Sequence, residues 1–127
     1  MDFTGTFKPV NIGTMVIYQG ANFRKRFVWT INDEGSDVRI PVGLTNATIS
    51  AQVRRSPFSP LLLDFTPHIY ITNPVAGEFE LALSATDTSL LSFDSGVFQL
   101  EVEFSFPEEF TVRLLEGFVE LSREIVR

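Results

Sequence analysis

His68 is the single histidine of this 127-residue chain, and there is no cysteine. A Ser-His-Asp arrangement would have to run through His68. It sits in Thr66-Pro67-His68-Ile69-Tyr70-Ile71, which reads as a turn entering a strand, and no nucleophile-elbow sequence accompanies it. His68 is therefore expected at an edge or on the surface, and no catalytic residue is expected. Two carboxylate pairs, Glu78/Glu80 and Glu101/Glu103, stand two apart within runs that read as strands. Members of such a pair face the same way, whereas a glycosidase needs carboxyls flanking a sugar from opposed positions. A solvated strand face is the expected role. The oxygen-rich run Asn32 through Asp37 reads as a turn, with a weak calcium loop as the sharper alternative. It lacks the D-x-[DN]-x-[DN]-G pattern. Without cysteine, disulfides and thiolate metal sites are excluded. No glycine-rich phosphate loop is present, and no cofactor is expected.

Two basic clusters remain, Arg24-Lys25-Arg26 and Arg54-Arg55. Only Trp29, Tyr18 and Tyr70 offer non-Phe stacking beside them, and a single-strand nucleic-acid groove needs basic and aromatic groups together on one face. The net charge is -6. Residues 1–60 carry seven Lys/Arg and four Asp/Glu, net +3, while residues 61–127 carry three and twelve, net -9. This argues against generic binding to DNA or anionic lipid. The asymmetry is expected to be ordinary solvated faces, or else a basic patch on one subunit meeting an acidic patch on the next.

The elements that must position these groups read as strands. The length suits one domain. Apolar runs such as Leu61 to Leu63 are too short to span a bilayer, and Met1 through Gly13 lacks the charged start and apolar run of a signal peptide. Thirteen Phe stand beside one Trp and two Tyr, and Phe supplies core area with no polar group to satisfy. Period-2 alternation dominates. Ala47 to Arg54 puts odd positions inward. Phe79, Leu81 and Leu83 share one face, as do the even positions of Phe98 to Phe104. In Phe23 to Ile31 the inward set is Phe23, Phe27, Trp29 and Ile31, interrupted by Lys25.

Turn signals fall at Gln19-Gly20, Asn32 to Ser36, Ser56 to Pro60, Asn73 to Gly77 and Pro107 to Glu109. Their spacing leaves room for seven to nine short strands of a sandwich or barrel. Ser84-Ala85-Thr86-Asp87 reads as a capping box opening one helical turn, ended by Asp94-Ser95-Gly96 with Gly96 free to take a positive φ. Residues 1–13 read as an N-terminal arm, broken by Gly5, Pro9 and Gly13, and residues 14–127 as a single domain. The arm is either frayed or packed through its Phe residues on its own domain or a neighbour.

A string of short pieces resembles a class of small tailed-phage virion proteins. These carry an immunoglobulin-like sandwich related to the N-terminal domain of phage baseplate upper proteins. The pieces are Gln19-Gly20-Ala21-Asn22-Phe23 ahead of Trp29, and Leu44 to Thr48 running into Ala51 to Arg55. Next come Leu61 to Phe65, Gly77 to Leu83 and Ser84 to Thr88. Gly96 to Phe98, Arg113 to Val119 and Glu124 to Arg127 complete the set. They span residues 14–127, and their order and spacing carry the resemblance. The chain departs from the pattern in its Phe-rich hairpin around Phe104 to Phe110 and in its N-terminal arm.

The resemblance implies an all-β, immunoglobulin-like antiparallel sandwich with a structural role in a virion, made in bacterial cytoplasm. That role is in the tail or baseplate, at fibre attachment or near the portal. The expected partners are other phage structural proteins, met in several copies of a symmetric assembly. The resemblance supplies no catalytic residues. The alternatives are a capsid decoration protein and a host-glycan-binding module, with an enzyme last. Candidate contact residues are Phe3, Phe7 and Lys8 of the arm, Arg24 and Arg26 of the basic strand, and Phe106, Glu108, Glu109 and Phe110 of the hairpin. An apolar hairpin tip either docks on a partner or folds back on its own sandwich.

Overall fold

A computed structural model describes residues 1–127 apart from 5–7, 33, 34, 36, 107 and 127. Among the described residues ten strands lie in two five-stranded sheets. One sheet runs β1 (Asp2–Thr4), β3 (Phe23–Asn32), β8 (Glu78–Leu83) and β7 (Ile69–Asn73), with β4 (Arg39–Pro41) paired to the end of β3. The other runs β2 (Val10–Tyr18), β10 (Phe110–Ser122), β9 (Ser95–Phe104), β5 (Ala47–Arg54) and β6 (Leu61–Asp64). Two pairings are parallel, β1 with β3 and β2 with β10, and the remaining pairings are antiparallel.

Lettered from β1 as A, β2 as A′, β3 as B, β5 as C, β6 as C′ and β7 to β10 as D to G, the sheets read A-B-E-D and A′-G-F-C-C′. This is an immunoglobulin-like all-β sandwich. The described residues include one short α-helix, α1 (Ala85–Ser89), and a 3₁₀ turn at Thr66–His68. Seven to nine strands were expected from the turn spacing, and the two three-residue strands β1 and β4 bring the number to ten.

Alternation builds the core. Ile49, Ala51 and Val53 of β5, Phe79, Leu81 and Leu83 of β8, and Phe98, Leu100 and Val102 of β9 are all buried. Phe27 stacks on Phe79 at 5.3 Å between ring centroids, and Phe65 meets Phe98 edge-on at 5.8 Å. Each such buried ring contributes about 1.5–3 kcal/mol. Trp29 is buried as its face demands, but Ile31 and its ladder partner Ile40 are exposed. The end of β3 runs beyond the buried core. In β10 both Leu114 and Leu115 point inward, because the register shifts between Arg113 and Leu115. A bulge at that point restores the alternation beyond it.

Gly96 does not take a positive φ. It lies buried at the start of β9, where an added Cβ would come within 2.7 Å of Val53 Cγ1 and 2.9 Å of the Arg54 carbonyl. Only glycine fits the close approach of these strands. The arm takes one of the courses open to it and packs on its own domain. Its first residues form β1, and the expected boundary between residues 13 and 14 falls inside β2.

Candidate docking surfaces

At one end of the sandwich the capping box forms as the sequence predicts. Ser84 Oγ accepts from the Asp87 amide at 3.1 Å, and Asp87 Oδ2 accepts from the Ser84 amide at 2.9 Å. The bond from the Ser84 amide, then the Ser84 hydroxyl and the nearby His68 imidazole, hold the Asp87 carboxyl below the ordinary aspartate range, against a smaller desolvation effect. His68 Nδ1 lies 3.8 Å from Asp87 Oδ2. Ser84, His68 and Asp87 thus meet in space, but Ser84 Oγ is turned to a backbone amide and works as a helix cap.

Around this turn, distant groups are fastened together. Thr88, fully buried, accepts from the Gly20 amide at 3.0 Å and donates to the Ala21 carbonyl at 2.8 Å. Asn22 Oδ1 accepts from the Ala85 amide, and Gln19 links the Leu91 carbonyl to the Glu124 amide. None of these long-range bonds has a local sequence signal.

The carboxylates stand on the outer strand faces as alternation dictates, with Glu78 and Glu80 half-buried. Glu80 accepts from Arg24 Nε at 2.8 Å, and Glu78 from Arg26 at 3.3 Å and from Thr72 at 2.9 Å. The basic strand expected to meet a neighbour is therefore already paired with the acidic strand beside it. Exposed pairs of this kind contribute about 0.2–1 kcal/mol each. Glu101 and Glu103 lie on the outer face of the other sheet, opposite Ser50 and Thr48. Among the described residues no group of three His, Cys, Asp or Glu is placed to hold a metal ion. Asp33, Glu34 and Ser36, the centre of the suggested calcium loop, lie outside the described residues.

The arm residues separate. Phe3 is buried at 5 % exposure, edge-on to Phe27 at 6.2 Å, so its ring belongs to the protein's own core and is closed to a neighbour. Phe7 lies outside the described residues. Lys8 is exposed just before β2.

The opposite end of the sandwich carries the hairpin between β9 and β10. Phe104 tilts against Trp29 at 6.1 Å and roots the hairpin in the core. Beyond it Phe106 is 68 % exposed and Phe110 42 % exposed, with Glu108 and Glu109 exposed between them. Phe104, Phe106, Glu108 and Phe110 line a shallow depression of about 380 Å³. Ile31, Val38, Ile40 and Val75 are exposed on segments that the ladders bring to this same end. The hairpin was legible in the sequence as a run of Phe. Val38, Ile40 and Val75 were not, because their exposure depends on where the turns end.

The outer face of the β2-β10-β9-β5-β6 sheet is also hollowed. Arg54 donates to the Ser59 carbonyl at 2.8 Å and to Gln52 Oε1 at 3.0 Å. This holds the β5–β6 loop so that Pro57 borders a depression of about 280 Å³ with Gln52, Gln99 and Glu101.

No family model matches the chain, and no curated protein matches it.

Proposed function

We propose that this domain is a structural component of a tailed-phage particle, an adaptor of the tail, baseplate or fibre attachment that works through protein-protein contacts. The observation that carries the reading is the hairpin end. A rooted hairpin presents Phe106 and Phe110 to water beside two glutamates, on an end already rich in exposed apolar side chains. Covering a Phe side chain contributes about 1.5–3 kcal/mol, and a rigid aromatic anchor with an acidic rim is what a partner's apolar pocket with basic edges would take. The immunoglobulin-like sheet order supports the same reading, since it agrees with the fold that the sequence resemblance implies. A cryo-EM map of the particle tests it. Density for the domain in the tail or baseplate is expected. Density on the head lattice makes it a decoration protein, and absence from the particle overturns the proposal.

The hollow on the outer sheet face favours one second reading, a host-glycan site. The two amides of Gln52 and Gln99 and the carboxylate of Glu101 suit vicinal hydroxyls. A glycan array gives a signal that Gln99→Ala abolishes if that reading holds, and no signal if it fails.

A further inference from the structure

The hollow beside Gln52, Gln99 and Glu101 continues across the sheet. A second hollow of about 180 Å³ lies on the same outer face, and Pro57, Val97 and Gln99 border both. With three walls in common, the two make one groove that crosses the strands. Its polar side is a single row of the ladder. Asn11 of β2 stands beside Glu116 of β10, Glu116 beside Gln99 of β9, and Gln99 beside Gln52 of β5. Four adjacent strands make this row roughly 14 Å long.

Two of its side chains are held in place by the protein. Asn11 Oδ1 accepts from the Gly13 amide at 2.8 Å, and Gln52 Oε1 accepts from Arg54 at 3.0 Å. The Arg54 guanidinium is engaged by Gln52 and the Ser59 carbonyl, so the charge lining the groove is that of Glu101 and Glu116. On the same strand faces around it, Asp64, Glu103 and Glu120 outnumber Arg113. Next to the polar row runs an apolar one. Phe118, 53 % exposed, neighbours Val97 in the ladder. Pro57 borders both hollows from a turn closed by the Ser59 amide on the Ser56 carbonyl at 3.0 Å.

We infer that this groove binds a linear, uncharged oligosaccharide lying across the strands. The inference rests on the glycan reading of this face and gives it a length, a charge and an aromatic contact. A sugar offers hydroxyls that both donate and accept, and the amides of Asn11, Gln99 and Gln52 do the same, while Glu116 accepts. It also offers an apolar C–H face, which suits Phe118, Val97 and Pro57. A single ring, little wider than one strand spacing, reaches only part of the row, so several joined rings are needed to fill it. Charge selects among glycans. Glu101 and Glu116 repel carboxylated sugars and leave neutral ones.

The test is a glycan array carrying gluco-, manno-, galacto- and N-acetylglucosamine oligosaccharides of one to six units, oligogalacturonates and a penta-lysine peptide. The purified full chain is applied, and the best tetrasaccharide and its own monosaccharide are then titrated by calorimetry. Signal is expected on neutral chains of several units and not on oligogalacturonates. The tetrasaccharide is expected to bind at least about tenfold tighter than the monosaccharide. Phe118→Ala in the second hollow and Gln52→Ala in the first are each expected to weaken it by about tenfold, with urea midpoints confirming that both variants fold. A monosaccharide bound as tightly as the tetrasaccharide, equal signal on oligogalacturonates, or binding that Gln99→Ala abolishes and Phe118→Ala leaves unchanged overturns the inference while the glycan reading stands. An array with no glycan signal, whether or not penta-lysine binds, overturns both.

Discussion

The two ends of this sandwich are finished in opposite ways. At the helical end, polar groups are satisfied by the protein itself. Thr88, Gln19 and Asn22 bind residues far apart in the sequence, and the Ser84–Asp87 box caps the helix locally. At the hairpin end, apolar groups are left outside. Phe104 reaches Trp29, and Phe106 beyond it remains in water. The first pattern stabilises the monomer. The second adds little to the monomer and, in the proposed role, is what a partner would cover. Function in such a domain is therefore read from what the fold leaves uncovered.

Substitutions at the two ends can sharpen or break that contrast. Trp29→Ala, under the root of the hairpin, is expected to cost about 3–5 kcal/mol in urea unfolding and to release Phe104. If its cost is under about 1 kcal/mol, the hairpin is not rooted in the core. At the other end, Thr88→Val keeps the shape but leaves the Gly20 amide and Ala21 carbonyl without their partner. About 1–3 kcal/mol is expected. A neutral result would mean that this end is not held by its polar groups.

Ser84→Ala removes the cap and is expected to cost about 1 kcal/mol. The same box gives a pH signature. Folding lowers the Asp87 pKa, so its stabilisation is present above about pH 4 and is lost as pH falls through the folded-state value. Asp87→Asn is expected to flatten that acid limb of the stability curve, measured by urea midpoints from pH 6 to pH 2. Smallest for the monomer is Phe106→Ser, with a change within about 0.5 kcal/mol.

The helical end shows how far a sequence can be read. The capping box is an i, i+3 pattern and was legible, as were the period-2 strands, because both are local. The bonds from Gln19, Asn22 and Thr88 cross more than sixty residues and leave no local trace. The pairing of Arg24 with Glu80 depends on β3 lying beside β8, a neighbourhood set by the sheet order. Gly96 reads locally as a turn glycine, yet the constraint on it comes from Val53 and Arg54 on β5. Phe3 reads as an arm residue that either frays or packs on its own domain or a neighbour, and it is core, because the three residues of β1 dock on β3. Of the candidate contacts, Phe106, Glu108, Glu109 and Phe110 came together at one end because a hairpin is itself local.

The claim on which the functional reading depends is that Phe106 serves a partner and not the fold. Phage particles assembled with Phe106→Ser protein test it, by quantitative mass spectrometry of the domain's copies per particle against wild type. The account predicts a variant that unfolds at the wild-type midpoint and is missing from the particles. A variant incorporated at the wild-type level would contradict it.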